Sequence, residues 1–187
     1  HGLGYKLKLR QREQALAEGI DRITWTFDPL QSRNAYLNFA KLGVTADRYK
    51  INYYGETSSF LHSTGTDRLW VTWELNSDRV QRRIGEGVRD APDLDDLPSL
   101  VRVGEGCEPM REEIAKTQPL LKIEIPGNIN ALLEKNVQLA FRWREVTRDH
   151  QVSGKHPHYN LLDALFVECV HGDLTIKVEN NTDTGHG

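Results

Sequence analysis

The chain has 187 residues, 38% of them apolar, and a formal net charge of −3 at neutral pH. This length and composition allow one domain or two with a hydrophobic core, and no apolar run is long enough to cross a bilayer, so a membrane partner is not expected. The slight acidic excess, with no cluster of basic residues, argues against a nucleic-acid partner.

A glycine turn opens the first predicted element. Apolar residues recur at helical spacing after Gly4, and Gly19 can stop the helix in a left-handed conformation, which predicts a helix over residues 4–18. Glycines at a helix start leave backbone N–H groups unpaired and allow close approach, while the helix dipole adds partial positive charge. The turn therefore suits a pyrophosphate, although glycines near a chain start are more often typical of a flexible end.

A strand and a second helix follow at once. Bulky residues alternate with threonine over residues 23–27, and this period of two predicts a strand. Apolar residues then recur at i, i+4 and i+7 from Ala35, with Ser32 as a cap and Gly43 as a stop. This pattern predicts a helix of about ten residues.

The middle of the chain alternates between extended and loop-like segments. Residues 49–54 are predicted to be extended, and the strong alternation over residues 69–75 predicts a strand. Residues 85–119 hold four of the seven prolines, many glycines and an acidic run. This composition predicts a solvated, loop-rich connection.

The C-terminal part is predicted to contain a strand, a long helix and a hairpin. Residues 120–125 alternate as a strand does, and the Pro-Gly-Asn turn at 126–128 introduces one long amphipathic helix over residues 129–143. Residues 161–170 and 174–178 flank a His-Gly-Asp turn, which indicates a hairpin.

The helix, strand and helix of residues 2–44 resemble the coenzyme A site of the GNAT acyltransferase superfamily. That site is a glycine turn opening a helix, then a strand, then a helix ending in a Lys-Leu-Gly-Phe-like motif, here Lys41-Leu42-Gly43-Val44. One branch of predicted acyltransferases with a long C-terminal extension is similar in three further stretches, Trp25-Thr26-Phe27-Asp28-Pro29-Leu30-Gln31-Ser32-Arg33-Asn34-Ala35-Tyr36-Leu37-Asn38, Thr66-Asp67-Arg68-Leu69 and Val71-Thr72-Trp73-Glu74-Leu75. The resemblance is specific over residues 2–75 and loose beyond them.

The resemblance implies an α/β fold of the α+β kind, with a GNAT-like mixed central sheet flanked by helices. It also implies that earlier strands of this sheet lie upstream of residue 1 or come from a partner chain, so that the fold is N-terminally incomplete here. The expected divisions are the C-terminal part of a GNAT-like acyl-CoA-binding domain (1–84), a loop-rich connection (85–119), a strand–helix–hairpin extension (120–179) and a disordered tail (180–187).

In the family, backbone N–H groups of the glycine turn hold the pyrophosphate of coenzyme A. The corresponding residues here are Gly2, Leu3, Gly4, Tyr5 and Lys6. A family asparagine on the second helix contacts the pantetheine arm; counting back from Gly43 gives Ser32 for this role, whereas a shift of register gives Asn34, which we prefer. The same count places Phe39 where the family often has a tyrosine that protonates the leaving thiolate, and phenylalanine cannot donate a proton.

The catalytic acid and base stay unassigned from the sequence. Tyr36, Tyr53 and Tyr54 carry hydroxyls near the segments that would flank the thioester, and Glu74 would serve as a base if it points inward with a raised pKa. The tyrosines have a plainer interpretation as packing residues. Glu74 has a plainer interpretation as part of the exposed face of a strand.

The remaining polar residues give weaker signals. Arg142, Arg144 and Arg148 on the long helix would face an anionic acyl group or a substrate carboxylate, or would only support solubility. Cys107 and Cys169 have the spacing of neither a metal site nor a disulfide framework, which suits a reducing, cytoplasmic compartment. The histidines fit no zinc pattern, so no metal is expected.

The resemblance therefore predicts an acyl-CoA-dependent N-acyltransferase that transfers an acetyl or succinyl group from its coenzyme A thioester to a small amine or amino acid. The amine would attack the thioester carbonyl directly, while the enzyme positions and polarises it. The alternative is a non-catalytic coenzyme A-binding or assembly module that keeps the fold, which Phe39 favours. A dinucleotide-binding fold is disfavoured, because its motif requires a preceding strand and a third glycine. A homo-oligomer is left open.

Overall fold

The computed structural model describes residues 2–55, 65–86, 98–112, 122–152, 165–170 and 173–178. This part of the chain is a mixed α/β structure with five α-helices and two small sheets. The helices are α1 (Leu3–Ala17), α2 (Ser32–Ala35), α3 (Asp78–Gly85), α4 (Ile129–Lys135) and α5 (Val137–Val152). The strands are β1 (Arg22–Phe27), β2 (Thr45–Lys50), β3 (Arg68–Glu74), β4 (Ser99–Val103), β5 (Pro109–Arg111), β6 (Lys122–Ile123), β7 (Leu165–Val170) and β8 (Asp173–Val178).

The larger sheet has the strand order β1-β3-β2-β7-β8, and all of its neighbouring strands are antiparallel, so it is not the mixed central sheet that the resemblance implies. The register pairs Phe27 with Leu69 at one end of β1 and Arg22 with Glu74 at the other. The end of β2 lies beside the start of β3, where Lys50 pairs with Arg68. The ends of β1 and β2 and the start of β3 therefore meet at one end of the sheet, which we call the Phe27 end; the opposite one is the Arg22 end.

One face of this sheet forms the core. Leu69, Val71 and Trp73 alternate along β3 and are buried, as period-two patterning requires. Two helical segments cover this face: the ring centroid of Phe39 lies 5.7 Å from that of Phe27, and Lys8 of α1 lies 3.8 Å from the centroid of the Trp25 ring. The sequence prediction for α1 and β1 is confirmed to within one residue at each end.

The second predicted helix begins as α2 and continues as a π-helical segment, Tyr36–Lys41; we call the two together helix 2. It ends as predicted at Gly43, whose φ is +70°. A Cβ there would lie 3.2 Å from the Arg79 carbonyl oxygen and 3.3 Å from the Val80 Cα. Glycine is therefore required both for the left-handed backbone and for the close approach of α3.

The middle of the chain is more regular than its composition predicted. The structure adds α3, which Ser77 caps by accepting a hydrogen bond from the Val80 N–H. The predicted loop-rich segment 85–119 contains β4 and β5, which pair antiparallel, while β6 pairs parallel to β4. Pro109 takes the first position of β5, where a missing N–H is tolerated. The segment predicted to be extended at 49–54 is displaced, because β2 ends at Lys50 and a turn follows.

The prediction of one long C-terminal helix is wrong, because the helix is interrupted at Asn136, between α4 and α5. Asn136 has φ −152° and ψ 89°, and its side-chain oxygen accepts a hydrogen bond of 3.0 Å from the Leu139 N–H. Asparagine competes for backbone N–H groups in this way, and here it ends α4 and caps α5.

The predicted C-terminal hairpin is confirmed as β7 and β8, which pair antiparallel from Leu165↔Val178 to Val170↔Asp173. Ala46 of β2 pairs with Leu165, so the hairpin extends the same sheet that contains β1 and β3. The predicted tail at 180–187 lies outside the described residues. Within the described ranges, no helix combines the length and the apolar character that a bilayer crossing requires.

Candidate functional site

Several segments with polar or glycine-rich sequences meet at the Phe27 end of the sheet. Helix α1 runs antiparallel to β1: its Arg12 Nε donates a hydrogen bond of 2.8 Å to the Leu75 carbonyl at the Arg22 end. Gly4 lies eight residues before Arg12, which at 1.5 Å per residue places it about 12 Å closer to the Phe27 end. Helix 2 also begins at this end, directly after β1.

The glycine turn has the geometry expected of an anion site. Gly2 is the N-cap of α1 with φ 86° and ψ 14°, a left-handed conformation, and its carbonyl accepts the Lys6 N–H at 3.1 Å. The first turn contains no acidic residue, and no side chain caps it within the described structure. The first backbone N–H groups of a helix have no intrahelical acceptor and attract anions. Space is open at Gly2, while a Cβ at Gly4 would make an ordinary 3.9 Å contact with Leu37.

Helix 2 lies beside this turn, and its Lys41 is close to the ring of Tyr5. The Lys41 Nζ lies 5.7 Å from the centroid of the Tyr5 ring and 5.6 Å from that of the Tyr36 ring. Tyr5 belongs to the predicted pyrophosphate turn, and Tyr36 is one of the predicted candidates for proton transfer. The structure therefore brings these two predicted site residues together around one lysine.

The two candidates for the pantetheine contact differ in availability. Ser32 is buried, and its hydroxyl donates a hydrogen bond to the Gly127 carbonyl, which ties helix 2 to the turn before α4. Asn34 is exposed. A cavity of about 200 Å³ between the starts of helix 2 and α4 is lined by Gln31, Ser32, Arg33, Asn128, Asn130 and Glu134, among others. The Asn34 side chain is therefore more accessible to a ligand than the Ser32 hydroxyl.

Of the other catalytic candidates, Glu74 lies at the opposite end of the sheet from the glycine turn, whereas Tyr53 and Tyr54 lie at the same end. Glu74 is at the Arg22 end, where its carboxylate accepts a hydrogen bond of 2.6 Å from Arg22. Glu74 lies five positions after Leu69 along β3, about 17 Å at the rise of a strand. Tyr53 and Tyr54 follow β2 at the Phe27 end, with ring centroids 4.9 Å apart. Phe39 is completely buried against Phe27, in agreement with its interpretation as a packing residue.

A buried ionic network, which the sequence did not reveal, joins α5 to the Phe27 end. Arg144 donates two hydrogen bonds to Asp28, of 2.9 Å and 2.7 Å, and only 2% of its side chain is exposed. One turn later, Arg148 donates to both carboxylate oxygens of Asp67, at 2.7 Å and 2.8 Å. The Tyr49 hydroxyl donates to the same carboxylate at 2.7 Å. We call these five residues the α5 network.

The charges in the α5 network stabilise one another. Burial alone would raise the pKa of Asp67, but the hydrogen bonds from Arg148, the Asn52 N–H and Tyr49 outweigh burial and hold that pKa below its ordinary value. Burial opposes the charge of Arg144 as well, and its hydrogen bonds to Asp28 raise its pKa nevertheless. Burial and the neighbouring Asp67 charge raise the pKa of the Tyr49 phenol, so its proton stays on the oxygen at neutral pH. These groups are satisfied by one another and hold α5 in place.

The network corrects the interpretation of the helix arginines as solubilising residues. Arg144 and Arg148 are spaced i, i+4 and face the sheet, whereas Arg142 is exposed and pairs with Glu108 at 2.6 Å. The i, i+4 spacing was visible in the sequence. Their partners Asp28 and Asp67 lie far away along the chain, and only the strand order β1-β3-β2 brings them together.

No group of three or more His, Cys, Asp or Glu side chains suited to a metal ion occurs among the residues that the structure describes. In a comparison with known families, residues 126–187 match DUF3686, a family described as an ATPase involved in DNA repair. This segment is less than half of the chain and does not include the glycine turn. No curated protein and no solved structure matches the chain.

Proposed function

We propose that this chain carries the acyl-CoA-binding part of a GNAT-type N-acyltransferase, which transfers an acetyl or succinyl group to a small amine or amino acid. The observation that carries the proposal is the left-handed Gly2 turn at the start of α1, with helix 2 directly beside it. Helix, strand and helix occur in the order of the family's coenzyme A site. The Lys-Leu-Gly sequence ends the second of these helices.

The chemistry assigned to the site is direct aminolysis of a thioester. The α1 amides, with Lys6 and Lys41 nearby, bind the diphosphate, and Asn34 hydrogen-bonds the pantetheine arm. The free amine attacks the carbonyl carbon, a C–N bond forms as the C–S bond breaks, the nitrogen releases one proton to solvent, and the departing thiolate takes up one proton from a donor that solvent then re-protonates. Our candidate donor for the proton of the thiolate is the Tyr36 phenol, because Lys41 lies close both to its ring and to the ring of Tyr5 in the glycine turn.

A non-catalytic coenzyme A-binding module is the second candidate, and Phe39 is the observation that favours it. Its side chain has no proton to donate and is fully buried beside Phe27. A module that only senses or anchors coenzyme A needs the turn and helix 2 but no acid at this position. The two candidates thus share a binding site and differ in turnover.

The C-terminal family match does not support a further candidate. An ATPase of the P-loop type binds phosphates through a Gly-x4-Gly-Lys-Ser/Thr sequence. Residues 126–187 contain no such sequence. The activity in the family's description therefore stays with that family and is not transferred to this chain.

The test is to measure binding and turnover on the same protein. Coenzyme A, acetyl-CoA and succinyl-CoA are titrated by calorimetry, and the release of free thiol is followed with a panel of amines and amino acids. An enzyme releases thiol in an amine-dependent manner, and Tyr36→Phe lowers kcat without weakening binding. Binding without turnover supports the non-catalytic module. If coenzyme A and both of its thioesters fail to bind, both candidate functions are overturned.

A further inference from the structure

The cavity of about 200 Å³ between the starts of helix 2 and α4, which we call the helix 2–α4 cavity, has two opposite charges on its walls. Arg33 comes from helix 2 and Glu134 from α4. Both residues are exposed, and neither side chain forms a hydrogen bond or an ion pair within the part of the chain that the structure describes. The two charges thus line one cavity without being paired to each other.

Hydrogen bonds between the two segments hold the walls of this cavity in place. The Gln31 Nε2 donates a hydrogen bond of 2.9 Å to the Asn130 Oδ1, and the Asn130 amide nitrogen lies 3.5 Å from the Gln31 Oε1. The Ser32 hydroxyl donates to the Gly127 carbonyl. A ligand would therefore meet walls that are already ordered, which lowers the entropy cost of binding.

The size of the cavity limits its occupant to a small molecule. Pockets that hold drug-sized ligands have volumes of about 300–1,000 Å³, and this cavity is smaller than that range. Ile129 and Ala131 also line it and offer apolar surface to a short side chain. A small metabolite fits these dimensions better than a nucleotide or a peptide.

The two charges select a ligand that carries both signs. The guanidinium of Arg33 presents a fork of N–H donors that matches the two oxygens of a carboxylate. The carboxylate of Glu134 accepts hydrogen bonds from an ammonium group. A simple anion would be attracted by Arg33 and repelled by Glu134, and a simple cation the reverse, whereas a zwitterion gains from both.

We propose that the helix 2–α4 cavity binds a small α-amino acid in its zwitterionic form, with the ligand carboxylate on Arg33 and its ammonium group on Glu134. The walls of the cavity come from the start of helix 2 and from residues 127–134, and they do not include the glycine turn. Binding there does not depend on the proposed acyl transfer and can be measured without coenzyme A.

The binding test uses three ligands that differ in charge. Alanine carries both charges, propanoate only the carboxylate and ethylamine only the ammonium group. Each is titrated by calorimetry against the full chain at low ionic strength, because salt screens exposed charges. Alanine is expected to bind at least tenfold more tightly than either of the others. Equal binding of alanine and propanoate, or the lack of saturable binding of alanine, overturns the proposal.

Variants locate the ligand in the cavity. Arg33→Met and Glu134→Gln are each expected to raise the Kd for alanine tenfold or more. The matched control is Lys135→Met, which removes an exposed cation next to Glu134 that does not line the cavity and should leave Kd unchanged. Both variants are expected to fold, because neither side chain has a partner among the described residues, and circular dichroism checks this. An unchanged Kd in either folded variant overturns the proposal.

The two variants should also act in opposite directions on the ligands of single charge. Glu134→Gln removes a repulsion, so propanoate should bind as tightly as before or more tightly, whereas Arg33→Met should weaken it. For ethylamine the two effects should be exchanged, because its charge has the opposite sign. This crossed pattern supports separate contacts for the carboxylate and the ammonium group. If both variants weaken all three ligands alike, the substitutions merely disturb the cavity and the assignment of the two charges is overturned.

Discussion

Two polar regions at the Phe27 end of the sheet use their hydrogen-bonding groups in opposite ways. In the α5 network, Asp28, Arg144, Asp67 and Arg148 pair with one another and are largely buried. In the glycine turn, no side chain among the described residues caps the start of α1. A polar group whose partners all come from the protein stabilises the fold, whereas one left without protein partners is available to a ligand.

The difference gives each region a separate experimental signature. Changes in the α5 network should alter the free energy of unfolding, because a buried charge that loses its partner remains desolvated. Changes in the glycine turn should alter ligand affinity, because its groups contribute little to the fold. A variant in one region that mainly changes the other property would break this comparison.

The largest effect is expected for Arg144→Met. The change removes both hydrogen bonds that the Asp28 carboxylate accepts from Arg144, leaves the one from the Leu30 N–H, and should lower the free energy of unfolding by about 3–5 kcal/mol. Denaturant unfolding followed by circular dichroism measures it. The matched control is Arg142→Met. It removes an exposed arginine that lies two residues earlier on α5 and pairs with Glu108, and it should change the free energy of unfolding by less than about 1 kcal/mol.

A double variant sharpens this result. Asp28→Leu combined with Arg144→Met removes both charges, so its loss of stability should be smaller than the sum of the two single losses. If the two losses add, the pair is not coupled and the network does not hold α5 as described. If Arg144→Met instead changes only coenzyme A affinity, then Arg144 belongs to the ligand site.

The next effect concerns Asp67 and pH. Asp67→Asn should lower stability at neutral pH by about 2–3 kcal/mol, because charge-assisted hydrogen bonds to Arg148 are lost. The pKa of Asp67 is below its ordinary value of 3.8 in the folded protein, so the unfolded state binds more protons between the two values. The stabilisation is thus present above 3.8 and is lost as pH falls through the folded-state pKa.

The sign of this effect is tested by measuring the free energy of unfolding from neutral pH down to the lowest pH at which both proteins still fold. The difference between the original protein and Asp67→Asn should be constant at neutral pH and shrink below about pH 4. A difference that grows on acidification would mean that Asp67 has a raised pKa and takes a proton in the folded state. That result would make it a candidate acid rather than a structural carboxylate.

Local patterns in the sequence were sufficient for the elements that depend on neighbouring residues. The alternation around Trp73 and the glycines at 19 and 43 predicted β3, α1 and the end of helix 2, because period and left-handed backbone are local properties. The helical spacing predicts Asn136 inside a helix, since its capping role depends on which backbone N–H its side chain meets. The regular strands within 85–119 were missed because proline and glycine dominate its composition.

The α5 network could not be predicted for a different reason. Its pairs join residues 116 and 81 positions apart along the chain, and a single sequence gives no information on which strand lies next to which. The glycine turn is the reverse case, since its geometry follows from two glycines and one helix. Neighbouring residues in the sequence were thus enough to indicate the proposed binding turn. The ion pairs that hold α5 could be found only from the three-dimensional structure.

A smaller effect is expected from Gly4→Val, and it acts on affinity. The β-carbon at this position would make only an ordinary contact with Leu37, so the fold should tolerate it, while the branched side chain obstructs the approach of a diphosphate. Coenzyme A affinity should fall tenfold or more, about 1.4 kcal/mol. Gly85→Val at the end of α3, where a Cβ meets nothing within 4 Å, is the control and should leave affinity unchanged. Unchanged affinity in Gly4→Val would remove the turn from the site.

The smallest effects separate the two residues proposed for the pantetheine contact. Ser32→Ala removes the hydrogen bond to the Gly127 carbonyl and should lower the free energy of unfolding by about 1 kcal/mol, with coenzyme A affinity unchanged. Asn34→Ala changes an exposed side chain, so stability should stay within about 0.5 kcal/mol while affinity falls several-fold. Calorimetric titration and denaturant unfolding of both variants give the comparison. The reverse result, affinity lost in Ser32→Ala alone, would mean that the ligand displaces the Ser32–Gly127 contact and that the register counted from Gly43 is correct.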